Sequence, residues 1–175
     1  SNTYNYYIIL VLQMSNKILL DYGELNLNNI NYQVPTKNKM GSYVGNIMYD
    51  TKKNCELYIQ TPTLKCHNPL IMNNRNFLEC ELDEKNPEHV AFYNFITNLD
   101  EKNISLSHKN CKQWFKKSIS LEAVDDYYKS SIKFKKTNKP TTIRFRLPIS
   151  KGEIMTRLFD KNRNEISYRN LEKTN

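Results

Sequence analysis

Glycine is scarce. Only Gly23, Gly41, Gly45 and Gly152 occur in 175 residues. The chain therefore has no G-x-x-x-x-G-K and no G-x-G-x-x-G, and it lacks the Gly-rich loop that lets backbone N–H groups approach a nucleotide's phosphates. Four cysteines, Cys55, Cys66, Cys80 and Cys111, show no C-x-x-C spacing, and no H-x-x-x-H accompanies them. Beyond the adjacent Cys66-His67 pair nothing has the spacing of a zinc site, so neither metal nor cofactor is expected. Unpatterned thiols suit an intracellular, reducing compartment, where they pack as small hydrophobes. The three histidines, His67, His89 and His108, stand in no nucleophile and base motif, and Asp125-Asp126 point about 100° apart if helical, so catalysis is not expected. Long apolar runs are also missing. Ile8–Leu12 is too short to span a bilayer and lacks the basic flank and small-residue cleavage site of a leader. Met14-Ser15-Asn16-Lys17 reads as a natural start, which leaves residues 1–13 as either a non-native addition or an extra strand.

What the chain has is positive charge, unevenly spread. Lys and Arg number 26 against 18 Asp and Glu, net +8. Residues 1–101 carry 8 basic and 11 acidic side chains, net −3, and residues 102–175 carry 18 and 7, net +11. An AT-rich coding bias inflates Lys, but it does not explain a confined excess or the gathering of Arg144, Arg146, Arg157, Arg163 and Arg169 in the second half. A basic half on a mildly acidic chain is the footprint of a protein that meets polyphosphate with one side.

At this length one domain, residues 14–175, buries a core without disulfides or metal. Apolar alternation predicts strands over 17–27, 41–49, 55–61 and 77–82. Asn86 then reads as an N-cap with Pro87 at the first helical position. Val90, Phe92, Phe95, Ile96 and Leu99 recur near helical spacing. Further helices are predicted over 107–117 and, capped by Ser120, over 121–128. Strands return at 132–135, 143–147, 154–159 and from 165. Strands, a helical insertion of roughly 40 residues, then strands predict a mainly β, α+β chain: an OB-like antiparallel barrel with two to three helices packed on it.

The densest signal is Ser130 to Leu147. Ile132 and Phe134 alternate with Lys133 and Lys135, and Ile143, Phe145 and Leu147 alternate with Arg144 and Arg146. On strands this puts apolar residues inward and cations outward. Four cations on one paired face repel unless something anionic lies across them, and nucleic acid is the natural candidate. Single strands also need exposed rings on which bases stack. Tyr58 lies opposite Leu57 and Ile59, Phe159 shares a face with Arg157, and Trp114 is surrounded by Lys112, Lys116 and Lys117. For each ring the alternative is core packing. The expected nucleic-acid-binding set is thus Lys133, Lys135, Arg144, Arg146, Arg157, Tyr58, Phe159, Trp114, Lys116 and Lys117, with no catalytic residue.

Several segments resemble a known family. Leu57-Tyr58-Ile59-Gln60-Thr61-Pro62, Phe92-Tyr93-Asn94-Phe95, Trp114-Phe115-Lys116-Lys117, Lys139-Pro140-Thr141 and Phe159-Asp160-Lys161-Asn162 are similar, in order and spacing over about residues 40–170, to the single-stranded DNA-binding proteins of nucleocytoplasmic large DNA viruses. These are phycodnavirus and mimivirus relatives, themselves similar to the equivalent protein of short-tailed coliphages. The resemblance implies an OB-fold that coats single-stranded DNA during viral replication in the host cytoplasm, without catalysis and alongside other replication proteins. Two departures stand out: the further strands that close the barrel and the acidic tail of the phage proteins have no counterpart before Asn175, so the chain is either truncated or a divergent member. RNA as ligand stays open. The alternative function is a viral structural or scaffold protein, such as a virion component, whose basic face meets genome or acidic protein. No membrane association is expected.

Overall fold

The computed structural model describes residues 17–49, 55–66, 77–134, 139–159 and 162–167. Its backbone divides into two compact units, each assembled from separate segments. Among the described residues, one takes 17–62 and 91–130 and the other takes 63–90 and 131–167.

In the first unit the strands are β1 (Lys17–Asp21), β2 (Ile30–Tyr32), β3 (Thr36–Lys37), β4 (Tyr43–Val44), β5 (Ile47–Tyr49) and β6 (Cys55–Gln60). Four form a sheet in the order β1-β6-β5-β2, while β3 and β4 pair separately. The pairs are antiparallel except β1 with β6, which run parallel with Ile18 beside Leu57. The strand expected over 17–27 stops at Asp21, because side chains compete with the ladder for backbone donors. The Asp21 carboxylate accepts the Gly23 N–H at 2.8 Å, and the Asn26 side chain accepts the Asn28 N–H at 3.0 Å. Two 3-10 turns follow, Tyr22–Glu24 and Leu27–Asn29. The strand expected over 41–49 is broken at Gly45, where a Cβ would sit 2.7 Å from the Gln33 carbonyl oxygen; only glycine permits that approach.

The helices are α1 (Pro87–Lys109), α2 (Cys111–Phe115) and α3 (Leu121–Tyr127), and the boundary between the units falls after Val90. Asn86 caps α1 by accepting the Glu88 N–H at 2.9 Å, as expected, and Ser120 caps α3 through the Ala123 N–H at 3.2 Å. Along α1, Phe92, Phe95 and Leu99 are buried, whereas Val90 is exposed. Helix α1 runs ten residues past Leu99 and absorbs the start of the expected second helix, so α2 is short. It ends at Lys116, whose left-handed φ of 61° stops the helix. The first unit's core consists of Ile30, Met48, Tyr49, Phe92, Phe95, Leu99, Cys111, Trp114 and Val124. Tyr22 meets Phe92 edge-on at 5.3 Å, and Tyr32 lies 5.9 Å from Trp114. A polar chain ties α1 to the segment after α3. Tyr32 donates to Asn103 Oδ1 at 2.5 Å, Asn103 Nδ2 donates to the Tyr128 hydroxyl at 2.8 Å, and Tyr128 and Ser130 donate to the two Asp100 carboxylate oxygens at 2.6 and 2.5 Å.

The second unit holds β7 (Lys65–Cys66), β8 (Phe77–Glu81), β9 (Ile132–Lys133), β10 (Thr142–Arg146) and two short hairpins, β11 (Ile149–Ser150) with β12 (Glu153–Ile154) and β13 (Leu158–Phe159) with β14 (Glu165–Ile166). An antiparallel sheet runs β7-β8-β10-β9. The strand expected over 154–159 is two strands, because Met155 turns its N–H to the Pro148 carbonyl at 2.9 Å. Leu78, Cys80, Leu82, Ile132, Ile143, Leu147 and Leu158 are buried. His89 pins the base of this unit: its Nδ1 accepts the Asp83 N–H at 3.0 Å, and its Nε2 lies 2.9 Å from the Thr63 carbonyl oxygen.

The molecule is therefore mixed α/β, mostly strands in several sheets, with three helices inside the expected insertion. The sheets are open, and no closed barrel occurs among the described residues.

Candidate nucleic-acid interface

Strand β10 carries the densest cationic signal, and its register fixes what lies beside each cation. Thr142 faces Lys133 of β9 on one side and Glu81 of β8 on the other; Arg144 faces Glu79, and Arg146 faces Phe77. Directly opposed residues share a sheet face. Lys133, Arg144 and Arg146 therefore lie together on one face, and Ile132, Ile143, Phe145, Leu78 and Cys80 on the other. The expected alternation holds in β10: Ile143 is 1% exposed, while Arg144 and Arg146 are exposed.

The face is less uniformly basic than the local sequence implies, because β8 brings carboxylates onto it. Glu79 accepts from Arg144 Nε at 3.0 Å and from the Thr142 hydroxyl at 2.9 Å. The Arg144 guanidinium also lies 4.7 Å from the centre of the Phe77 ring. Cation and ring attract through the ring quadrupole, so Arg144 is held by two β8 side chains at once.

Beyond Lys133 the chain leaves the ladder. Phe134, expected to point inward, is 66% exposed, because alternation buries a side chain only while a partner strand continues beside it. With Lys133, Lys139, Pro140, Thr142, Arg144 and Glu79 it lines a groove of about 420 Å³. Three cations, one carboxylate and one open aromatic ring thus share one depression.

The other expected residues lie as follows. Lys135 is outside the described residues. Arg157 forks onto Glu165, Nε to Oε1 at 2.8 Å and Nη2 to Oε2 at 2.7 Å, which holds its guanidinium above and the carboxyl below their ordinary ranges. Arg157 also lies 5.1 Å over the half-buried ring of Phe159. Within the first unit, Tyr58 is half-buried on β6, as are Leu57 and Ile59, so alternation there does not separate a closed face from an open one. Trp114 is 8% exposed and packs against Tyr32 and Phe115. Its ring is spent on the core, where no base can stack on it. Lys116 and Lys117 are exposed, with Lys116 Nζ 3.1 Å from the Gln113 carbonyl oxygen.

Sequence reasoning missed Phe134, Lys139, Phe77 and Glu79. The Lys139-Pro140 turn was a local signal for the first two. No local signal exists for the others, since β8 and β10 are far apart in sequence and only the register joins them.

Among the described residues, no group of three His, Cys, Asp or Glu side chains could hold a metal ion, and no helix is long and apolar enough to cross a membrane. No curated protein and no solved structure matches the chain. A family profile does match, over residues 82–175, which takes in α1 to α3, β9, β10 and most of the groove's lining, and on this match the chain belongs to DUF5871, a family of unknown function.

Proposed function

We propose that this protein binds single-stranded nucleic acid, DNA in the first place, without base specificity and without catalysis, through the β9–β10 face of its four-stranded sheet. The observation that carries the proposal is the exposed Phe134 ring in one groove with Lys133, Lys139 and Arg144. A single strand offers its phosphates and the flat faces of its bases together. Lysines beside an open ring answer both, and each stacked base contributes about 1 to 3 kcal/mol. A duplex hides its base faces, so Phe134 would find nothing to stack on. Arg146, exposed on the same face, extends the cationic track away from the groove.

The resemblance to the viral single-stranded DNA-binding proteins supports the same reading. It adds an OB-like fold, a coating role in viral DNA replication and a cytoplasmic site of action. The strands–helices–strands order and the antiparallel β7-β8-β10-β9 sheet are compatible with such a fold.

Fluorescence anisotropy with labelled dT, rU and duplex oligomers of equal length, at two salt concentrations, tests the proposal. Tighter binding of dT than of duplex, weakened by salt, is the expected result. Equal affinity for both, or none for either, would overturn it and favour a scaffold whose basic face meets acidic protein.

A further inference from the structure

Cys66 and Cys80 sit directly opposite each other on the antiparallel strands β7 and β8, with their sulfur atoms 3.0 Å apart. Both are free thiols. Opposed residues of antiparallel strands hold their Cα atoms about 4.5 to 5.5 Å apart, inside the span of roughly 4.4 to 6.8 Å that a disulfide bridges. The backbone already has the separation that the bond needs, and the sulfurs need only close about 1 Å to reach bonding distance.

The two thiols are not equivalent. Cys66 lies on β7, an edge strand of the sheet, and is partly exposed, whereas Cys80 is 3% exposed on β8, between β7 and β10. The contact between the two sulfurs holds the Cys66 thiol below its ordinary pKa, while that contact and burial push the Cys80 thiol up. The reachable sulfur is thus also the one better able to exist as thiolate, the nucleophilic form.

We propose that Cys66 and Cys80 form a redox couple, in which Cys66 is the attacking thiol and Cys80 the resolving one, oxidised by a small-molecule disulfide such as oxidised glutathione. The Cys66 thiolate attacks one glutathione sulfur, forming a mixed disulfide and expelling the first glutathione thiolate. Cys80 gives up its proton and attacks Cys66 Sγ, which forms the Cys66–Cys80 bond and expels the second glutathione thiolate. Two protein thiols are oxidised and one glutathione disulfide is reduced; the two thiol protons end on the two released glutathiones. The bond fastens edge strand β7 covalently to β8, two residues along the strand from Leu78 and next to Glu79 of the groove. This couple stands independently of nucleic-acid binding.

The full chain is equilibrated with graded ratios of reduced to oxidised glutathione, alkylated and analysed by mass spectrometry, intact and after non-reducing digestion. The expected result is an intact protein that loses two hydrogens, returns to the starting mass with dithiothreitol, and yields one crosslinked peptide pair joining Cys66 to Cys80. Cys80→Ser should stop at the glutathione mixed disulfide on Cys66, and Cys66→Ser should leave Cys80 unmodified. Wild-type protein alone decides the matter should either variant fail to fold. Crosslinks to Cys55 or Cys111, intermolecular dimers, or full alkylation of Cys66 and Cys80 in oxidised glutathione alone would each overturn the proposal.

Discussion

Glu79 lies directly across the ladder from Arg144 and holds its Nε at 3.0 Å. An anion thus occupies the middle of the face on which a polyanion is proposed to lie. Phosphate must approach this groove against one fixed negative charge. Glu79→Gln removes that charge while keeping an acceptor for Thr142. Dissociation constants for dT oligomers at low salt should fall about five-fold, of the order of the ~1 kcal/mol between unit charges about 4 Å apart in water. Weaker binding by the variant would mean that Arg144 must be held by a carboxylate to act.

Phe134 tests the stacking half of the proposal. The ring is largely open, so Phe134→Ala should leave urea unfolding within about 0.5 kcal/mol of wild type. Binding to dT should weaken by about 1 to 3 kcal/mol. Unfolding and titration on the same preparation separate the two effects, and unchanged affinity would remove the ring from the interface.

The cationic half is read from salt. Each phosphate contact to a single strand contributes about −0.7 to the slope of log K against log salt, or about −2.8 for Lys133, Lys139, Arg144 and Arg146 together. Replacing Lys133, Lys139 and Arg146 with Gln leaves the Arg144–Glu79 pair in place and should flatten the slope by about 2.1. The effect should be the same for dT and mixed-sequence oligomers, because phosphates carry no sequence. A wild-type slope in the triple variant would place the contacts elsewhere.

Alkaline pH should weaken the fold through Tyr32, whose hydroxyl is pushed by burial from 10.0 up to about 12. The unfolded chain releases this proton near the ordinary value while the folded one keeps it. Stability from this group is therefore complete below pH 10 and is lost as pH rises from 10 toward 12. Urea midpoints across that range should fall more gently in Tyr32→Phe than in wild type. Parallel falls would assign the loss to other groups, with Tyr128, also pushed up chiefly by burial, the first to examine.

Patterns that depend on near neighbours were readable in the sequence. The Asn86-Pro87 start of α1, the Ser120 cap of α3 and the in-and-out alternation of β10 each rest on contacts within a few residues. What depends on distant segments was not. Glu79 beside Arg144 and the parallel pairing of β1 with β6 are set by register between separated strands. Phe134 shows where a local rule expires, since the ladder ends one residue earlier. Trp114, surrounded by lysines in sequence, is claimed by Tyr32 from another segment.

The position of His89 limits what that imidazole can do. Its Nδ1 must present a lone pair to the Asp83 N–H, so the ring proton resides on Nε2 and is donated to the Thr63 carbonyl. Both nitrogens are committed to backbone on opposite sides of a buried ring. In this conformation neither can take a proton from a substrate or bind a metal ion without surrendering a backbone partner. The side chain serves as a crosslink between the entry to β7, the exit from β8 and the first turn of α1.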